Sequence, residues 1–513
     1  MNYRLEVEKK EDFSRILPKG TFLCDYALNP AGFPQFFHFS PGQAGEKIAS
    51  LQNQPFSHRQ ALVEYLRDYH QNMDAPPETL RNIDGLNDPQ TLVVMTGQQP
   101  GLLTGPMYTI YKTISCLWEA QRIEQTFGRR CIPIFWIASE DHNLEEATSI
   151  FWPDPEDSHS EGDGYSMLSI RPRRGHFKQP VGLLPLDPEG KKLSAFMQEL
   201  GALLSRTAAA TTTTTTTHSH EVEHIVQSTL QSTMTRSGTL GEWFCRLMLT
   251  FFGPCGLVLF EPNDARVKRL AGPLWQKTVA DPLALPRVVD QAGQELERRG
   301  YLRQLSSSFS SSSSSPSSSS PARCPFFLYE NQHSDRATPE RVPRDQGTGE
   351  RMEQGIGDQV ALDRVTREGV MWDDRLFRTR NQDYSPAQLQ DLLQLQPERF
   401  SPNVYLRPVF SESLFPTLFY LAGPGEMGYF AQIKGVYEYF GLKMPIILPR
   451  FSATLRDARK SDSNLLQDAY PQERKLNIFY LLNLYGPDFL KAIQSLKIED
   501  YFVHYQIKIK LES

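Results

Sequence analysis

At 513 residues, with 39% apolar and 11% aromatic side chains, the chain is long and apolar enough for two or three domains with real cores. A formal charge of −6 and a sequence pI of about 6.1 give no basic footprint, so neither nucleic acid nor an anionic membrane is expected as a partner. No apolar run nears the roughly 18 residues of a spanning helix, the first residues are charged, and the six cysteines are scattered without a C-x-x-C pair. A cytoplasmic protein with reduced, mostly buried thiols and no zinc site is expected.

In chain order, the first strong signal is an apolar strand at Leu92–Met95, followed by a glycine-rich turn and then by Met107, Ile110, Tyr111, Ile114, Leu117 and Trp118 at helical spacing. Pro106 sits where a helix start tolerates it. Thr96, Gly97, Gln98, Gln99, Gly101, Thr104, Gly105, Tyr108 and Lys112 are the candidate ligand-binding residues here, because backbone N–H groups at the positive end of a helix suit a phosphate or carboxylate. The turn matches neither G-x-G-x-x-G nor a Walker loop, so a plain strand-to-helix connection stays open, as does a surface role for Lys112. A second strand, Cys131–Ala138, ends in the polar run Ser139, Glu140, Asp141, His142, which reads as a site or as a solvated strand end.

Two low-complexity tracts follow, threonine at 211–217 and serine at 306–320, both expected as exposed, mobile insertions. His218, His220 and His224 adjoin the first and read as solvated residues at a helix start rather than as metal ligands. Between the tracts a helix over Leu240–Phe252, a strand over Gly256–Phe260 and a turn at Glu261–Asp264 opening a helix toward Trp275 are expected. Residues 331–360 read as loop, and Ser385 caps a helix to Leu395 before Arg399–Pro408 returns the chain to the sheet. The opening pattern then recurs: strand Leu418–Ala422, turn Gly423–Glu426, a helix marked by Met427, Phe430, Ile433, Tyr437 and Phe440 and closed by Gly441, and strand Met444–Leu448. Both glycine turns are expected along one edge of a single parallel sheet, making one site from two distant segments.

Five ordered blocks carry a resemblance: Thr96–Tyr108, Pro133–His142, Ser401–Pro408, Ala422–Glu426 and Pro449–Thr454, with a sixth at Gln472–Phe479. Together they resemble the bacillithiol biosynthesis cysteine-adding enzymes, a family of cysteine ligases. The resemblance implies an α/β fold with a Rossmann-like parallel sheet core and connecting insertions, over residues 1–205 and 401–457 with insertions at 206–400. It also implies a reaction joining cysteine to glucosaminyl malate. The sequence departs from the family at 458–513: members carry a long coiled coil between the Pro-Arg-x-Ser-x-Thr and Gln-Glu-Arg blocks, whereas here only Ala458–Tyr470 separates them. A short helical carboxyl-terminal segment is expected instead, and a chain less firmly dimeric than its relatives, with the apolar helix Ile478–Tyr485 as the substitute interface if a dimer forms at all.

Amide formation needs an activated carboxylate, so ATP with Mg²⁺ is the expected cosubstrate. Gly423, Gly425 and the first turn would face its phosphates or the malate, and Lys112, Arg407 and Arg450 would neutralise them. Glu140, Asp141 or His142 would orient the amine, accept its proton or hold the metal ion. Glu426 joins the binding set. The chain lacks the H-x-G-H pattern of class I synthetase-like enzymes, so their mechanism is not carried over. A non-catalytic nucleotide- or sugar-binding role in the same pathway is the alternative, and unrelated acyl or nucleotidyl transfer is a third.

Overall fold

The computed structural model describes residues 3–12, 20–153, 165–170, 179–186, 191–211, 216–306, 321–331, 365–457, 475–496 and 503–511. The threonine tract is described only where helices Lys191–Thr211 and Thr216–Met234 take up its two ends. Nearly all of the serine tract, residues 332–360 and residues 458–470 lie outside the described residues, as do the side chains of His218 and His220.

The central element is a five-stranded, wholly parallel sheet. Its strands are β1 (Leu92–Gln98), which leads to helix α1 (Met107–Phe127), then β2 (Cys131–Ile137), β3 (Val258–Phe260), β4 (Thr417–Ala422), which leads to α2 (Pro424–Phe430), and β5 (Ile446–Pro449). They lie in the order β5–β4–β1–β2–β3. From β1 the chain steps outward to β2 and β3, then returns to the other side of β1 for β4 and β5. The strand order therefore reverses between β1 and β4, and a doubly wound sheet opens its ligand crevice at the carboxyl ends flanking such a reversal. Both glycine turns leave the sheet there, as the repeated pattern predicts.

The strands are apolar on both faces because both are covered. Val93 and Met95 of β1 enter one core, with Ile132, Ile134 and Trp136 of β2, while Leu92 and Val94 enter another on the opposite face. Helix α1 starts after Pro106, which lacks the N–H that a helix start leaves unpaired. It stops at Gly128, whose left-handed φ of +62° few other residues adopt without cost. Its Ile110, Tyr111, Ile114 and Ile123 are fully buried, each contributing about 2 kcal/mol of apolar transfer.

Around this sheet lie an antiparallel five-stranded sheet (Ala322–Asn331, Val365–Trp372, Phe377–Arg378, Asp383–Tyr384, Phe400–Pro402) and a three-stranded one (Tyr3–Asp12, Ser452–Asp457, Val503–Leu511). The helix Leu240–Phe252 and the capped helix Pro386–Leu395 form as read, the latter with Ser385 and Gln388 in a reciprocal capping box. Five of the six cysteines are buried and all are free.

Four expectations are corrected. Segment 206–400 is not only insertion, since β3 comes from it and completes the core sheet. Phe400–Pro402 pairs antiparallel with Phe326–Leu328 in the second sheet, so the chain re-enters the parallel sheet only after helix Arg407–Leu414. The helix over Met427–Phe440 is two helices, Pro424–Phe430 and Lys434–Tyr439. The break falls at buried Gln432, whose side-chain oxygen accepts from the N–H groups of Gln304 and Leu305 at 2.6 and 2.8 Å. Finally, the carboxyl-terminal segment is not purely helical: after Ile478–Tyr485 and Asp488–Gln494 comes a strand with Tyr505, Ile507 and Ile509 buried at period two. Both helices are too short for a coiled coil. Phe479, Leu481, Leu482 and Tyr485 are buried in the chain's own core, so their apolar area is already covered within the chain.

Candidate functional site

A cleft of about 720 Å³ opens at the carboxyl edge of the parallel sheet, where β1, β2, β4 and β5 end. That volume is within the usual range for small-molecule sites. Gly97, Gln98, Gln99, Gly105, Tyr108, Lys112, Asp141, Arg407, Gly423, Gly425, Glu426 and Arg450 all line it. The remaining candidates do not.

Lys112 joins the two glycine turns. Its ammonium donates to the Gly97 carbonyl at 2.8 Å and to Gln98 Oε1 at 3.0 Å, and pairs with Glu426 Oε2 at 2.5 Å. All three of its donors are thus occupied within the protein, and the side chain is only 5% exposed, so the surface-lysine reading is overturned. Burial lowers its pKa, and Arg450 and Arg407 push the same way against the pull of Glu426. Burial by itself would raise Glu426; Lys112, the Gly423 N–H and Arg407 outweigh it and hold the carboxyl below its ordinary value. The Gly423 N–H donates to Glu426 Oε2 at 2.6 Å and the Tyr420 hydroxyl to Oε1 at 3.1 Å. Arg407 begins its helix beside this pair and donates to the Tyr429 hydroxyl at 3.3 Å. Arg450 follows β5, tied by its N–H to the Ala422 carbonyl at 2.9 Å. Among the described residues this end of the cleft brings together three cations, Lys112, Arg407 and Arg450, and one carboxylate, Glu426.

Two of the backbone N–H groups expected to form an anion cradle are taken within the protein. The first N–H of α1, on Met107, donates to the Leu476 carbonyl at 2.8 Å, and the Gly423 N–H is taken by Glu426. The turn itself is strained: Leu103, Thr104 and Gly105 have φ of +50°, +69° and +74°, a left-handed run that costs of order 1 kcal/mol or more at each non-glycine residue. Asn477 holds it, its amide donating to the carbonyls of Leu103 and Gly105, both at 2.8 Å. Thr104 and Gly101 are parts of this turn, and Thr96 ties β1 to β4 through the Leu421 carbonyl at 2.9 Å. These three serve the scaffold.

The run Ser139–His142 divides among three directions. Asp141 faces the cleft. Glu140 is buried and pairs with Lys268 at 2.5 Å, with the Tyr329 hydroxyl at 3.4 Å. His142 is exposed, 3.3 Å from the Arg367 guanidinium that stacks on Phe327. Ser139 donates to Glu261 at 2.5 Å and accepts from Asn263 at 2.9 Å. Burial pushes Glu261 up to about 7. The network braces the parallel sheet against the antiparallel one and leaves Asp141 as the one member of the run on the cleft.

Several lining residues were not singled out from the sequence: Asn143, Glu145 and Glu146 after β2, Tyr429 on α2, and Lys475 and Asn477. The Glu145–Glu146 pair adjoins the polar run and could have been added to it. Lys475 and Asn477 lie in the Gln472–Phe479 block, which was visible as a block without a role. Among the described residues no group of three or more His, Cys, Asp or Glu side chains is placed to hold a metal ion, and no helix is long and apolar enough to cross a membrane.

Fold and cleft define an α/β protein of the Rossmann-like class with a polar cleft at its switch point. A family model described as "Bacillithiol biosynthesis BshC, N-terminal Rossmann-like domain" matches residues 10–311 and 361–451, and the chain belongs to this family. Its relatives include a protein of Desulforamulus reducens, 29% identical over 85% of this chain and 68% of its own length. Another, from Salinibacter ruber, is 32% identical over 78% and 61%, and one from Chlorobaculum tepidum is 28% identical over 91% and 74%. Each is named "Putative cysteine ligase BshC". The matches thus span about two thirds of the relatives' length.

Proposed function

We propose that this chain is a carbon–nitrogen ligase of bacillithiol biosynthesis, acting in the cytoplasm, that adds cysteine to glucosaminyl malate in the cleft at the sheet's switch point. The observation that carries the reading is the meeting of two glycine turns, some three hundred residues apart in sequence, at one cleft with Arg407 and Arg450 on its wall.

A carboxylate and an amine do not condense unaided in water, and ATP with Mg²⁺ would supply the activation. The positive end of the cleft suits phosphate or malate oxygens, with Arg407 and Arg450 as the contacting groups and Lys112 as the residue that fixes the turns beneath them. Mg²⁺ commonly takes one or two protein carboxylates together with phosphate oxygens, a requirement Asp141 can meet without a resident metal cluster. When the amine nitrogen bonds to the cysteine carbonyl carbon, the bond from that carbon to the activating phosphate oxygen breaks and the phosphate group leaves with the electron pair. The nitrogen then gives up one proton, for which Asp141 is the base within the cleft. Glu140 and His142, which were equal candidates from the sequence, are assigned positioning roles.

The non-catalytic alternative draws on the commitment of Glu140 to Lys268, which leaves Asp141 as the one carboxylate of the Ser139–His142 run on the cleft. Incubating the purified chain with cysteine, glucosaminyl malate and ATP and following the cysteine adduct by mass spectrometry separates the readings. Product that disappears in Asp141→Asn supports the ligase. Tight binding of glucosaminyl malate with no product supports the binding role.

A further inference from the structure

One wall of the cleft carries an apolar pair. After β2 and the short helix Leu144–Ala147, the strand Ser149–Pro153 pairs antiparallel with Tyr165–Ser169, with Ile150 opposite Leu168 and Phe151 opposite Met167. Successive side chains of a strand point to opposite faces. Ile150, Trp152 and Leu168 enter the core, and the Trp152 indole N–H donates to the Thr207 hydroxyl at 3.1 Å, so the inward face fixes the ribbon in place. The outward face of such a ribbon is ordinarily polar. Here it carries Phe151 and Met167, 37% and 56% exposed, side by side as a cross-strand pair. Both line the cleft. The Lys475 ammonium lies 4.9 Å from the ring centre of Tyr165, the next residue of this face, and 6.0 Å from that of Phe151.

A patch of two side chains is far below the roughly 800 Å² that each partner of a stable protein interface contributes, and it lies inside a cleft of small-molecule size, so a small ligand is the occupant it fits. Cysteine and glucosaminyl malate are polar over nearly all of their surface. Of the three reactants in the proposed reaction, only ATP brings a flat aromatic ring. An aromatic side chain accepts any base through its π-face, and a methionine thioether adds polarisable contact to such a ring.

We infer that Phe151 and Met167 form a shelf on which the base of the activating nucleotide stacks, with its phosphates continuing into the cleft. This rests on the ligase reading and deepens it by naming the seat of the nucleotide. Stacking tolerates every base, so the shelf favours a nucleotide over bare phosphate without choosing among nucleotides.

Calorimetric titration of the purified chain with ADP and with inorganic pyrophosphate, both in the presence of Mg²⁺, tests this without turnover. Phe151→Ala is expected to weaken ADP at least about fivefold, the lower bound for one stacked base, and to leave pyrophosphate unchanged. Met167→Ala should act in the same direction, and Phe151→Trp, which keeps a ring at the position, should retain wild-type affinity for ADP. Both positions are exposed, so the thermal midpoints of the variants should stay within a few degrees of wild type. Failure of wild type to bind ADP, unchanged ADP affinity in Phe151→Ala, or an equal loss for pyrophosphate overturns the shelf. A loss in Phe151→Ala confined to glucosaminyl malate also overturns it and makes the pair a seat for the sugar. If the ADP losses appear but no cysteine adduct forms from ATP, cysteine and glucosaminyl malate, the ligase reading fails and the shelf stands; adduct formation with unchanged ADP affinity in Phe151→Ala is the reverse case.

Discussion

Glu426 is the residue on which the cationic end depends. It is the carboxylate that pairs with Lys112 beside Arg407 and Arg450, and it also closes the Gly423 turn. Removing one partner of a buried pair costs about 3–5 kcal/mol, because the charge left behind stays desolvated. Glu426→Gln is expected to lose an amount of that order in urea unfolding, and inorganic phosphate should restore more stability to the variant than to wild type. Equal phosphate effects in the two proteins would show that the cations do not face the cleft as a unit. Glu261 makes a pH prediction. Buried, it keeps its proton up to about pH 7, whereas the unfolded chain gives it up near its ordinary 4.5. Its contribution is therefore fully present below pH 4.5 and lost as pH rises through 7, a change of about 3 kcal/mol. Unfolding free energies measured from pH 4.5 to 8 should show wild type losing stability relative to Glu261→Gln across that window; parallel profiles would contradict the assignment. Neither residue's role was readable in the sequence. Glu426 was visible as a turn residue and a binding candidate but not as the partner of Lys112, and Glu261 owes its raised pKa to burial in a surrounding that only the fold assembles, against the pull of the Ser139 hydrogen bond.

At the scale of elements, local patterns were legible where local physics decides them. The apolar runs of β1, β2 and β4, the 3.6-residue stripe of α1 and the Ser385 cap all concern residues within a few positions of one another. The failures have long-range causes. The helix after β4 breaks because Gln432 serves a segment 127 residues away. The Ser139–His142 run divides because Lys268, Tyr329 and Arg367, all remote in sequence, draw its members apart. The strained turn after β1 similarly depends on Asn477, 374 residues from Leu103, which also caps the next helix by accepting from the Phe479 N–H at 2.8 Å. Asn477→Ala removes the cap and the amide donor to the Gly105 carbonyl, and leaves the Leu103 carbonyl with the Thr104 hydroxyl alone. It should cost about 3 kcal/mol in denaturant unfolding and weaken phosphate binding as the turn relaxes. A loss under about 0.5 kcal/mol would mean that the turn holds its shape unaided.

For the whole molecule, the repeated strand–turn–helix unit gave the composite site, but the order of the strands, and hence the switch point between β1 and β4, emerged only with the pairing of β4 to β1. The pairing of Tyr3–Asp12 with Val503–Leu511 has no local signature at all. The large exposed apolar residues among those described, such as Leu28, Phe127, Leu302 and Leu395, are scattered along the chain, and the terminal helix is buried within it. A stable dimer needs roughly 800 Å² from each partner. Sedimentation velocity at micromolar concentration is therefore expected to give monomer, and a tight dimer would point to a surface formed outside the described residues. The central claim is that the cleft between the two glycine turns holds the substrates. A crystal structure of the chain with glucosaminyl malate tests it most directly: the account predicts the ligand in the cleft lined by Arg407, Arg450 and Asp141, and a ligand bound anywhere else, with this cleft unchanged, would contradict it.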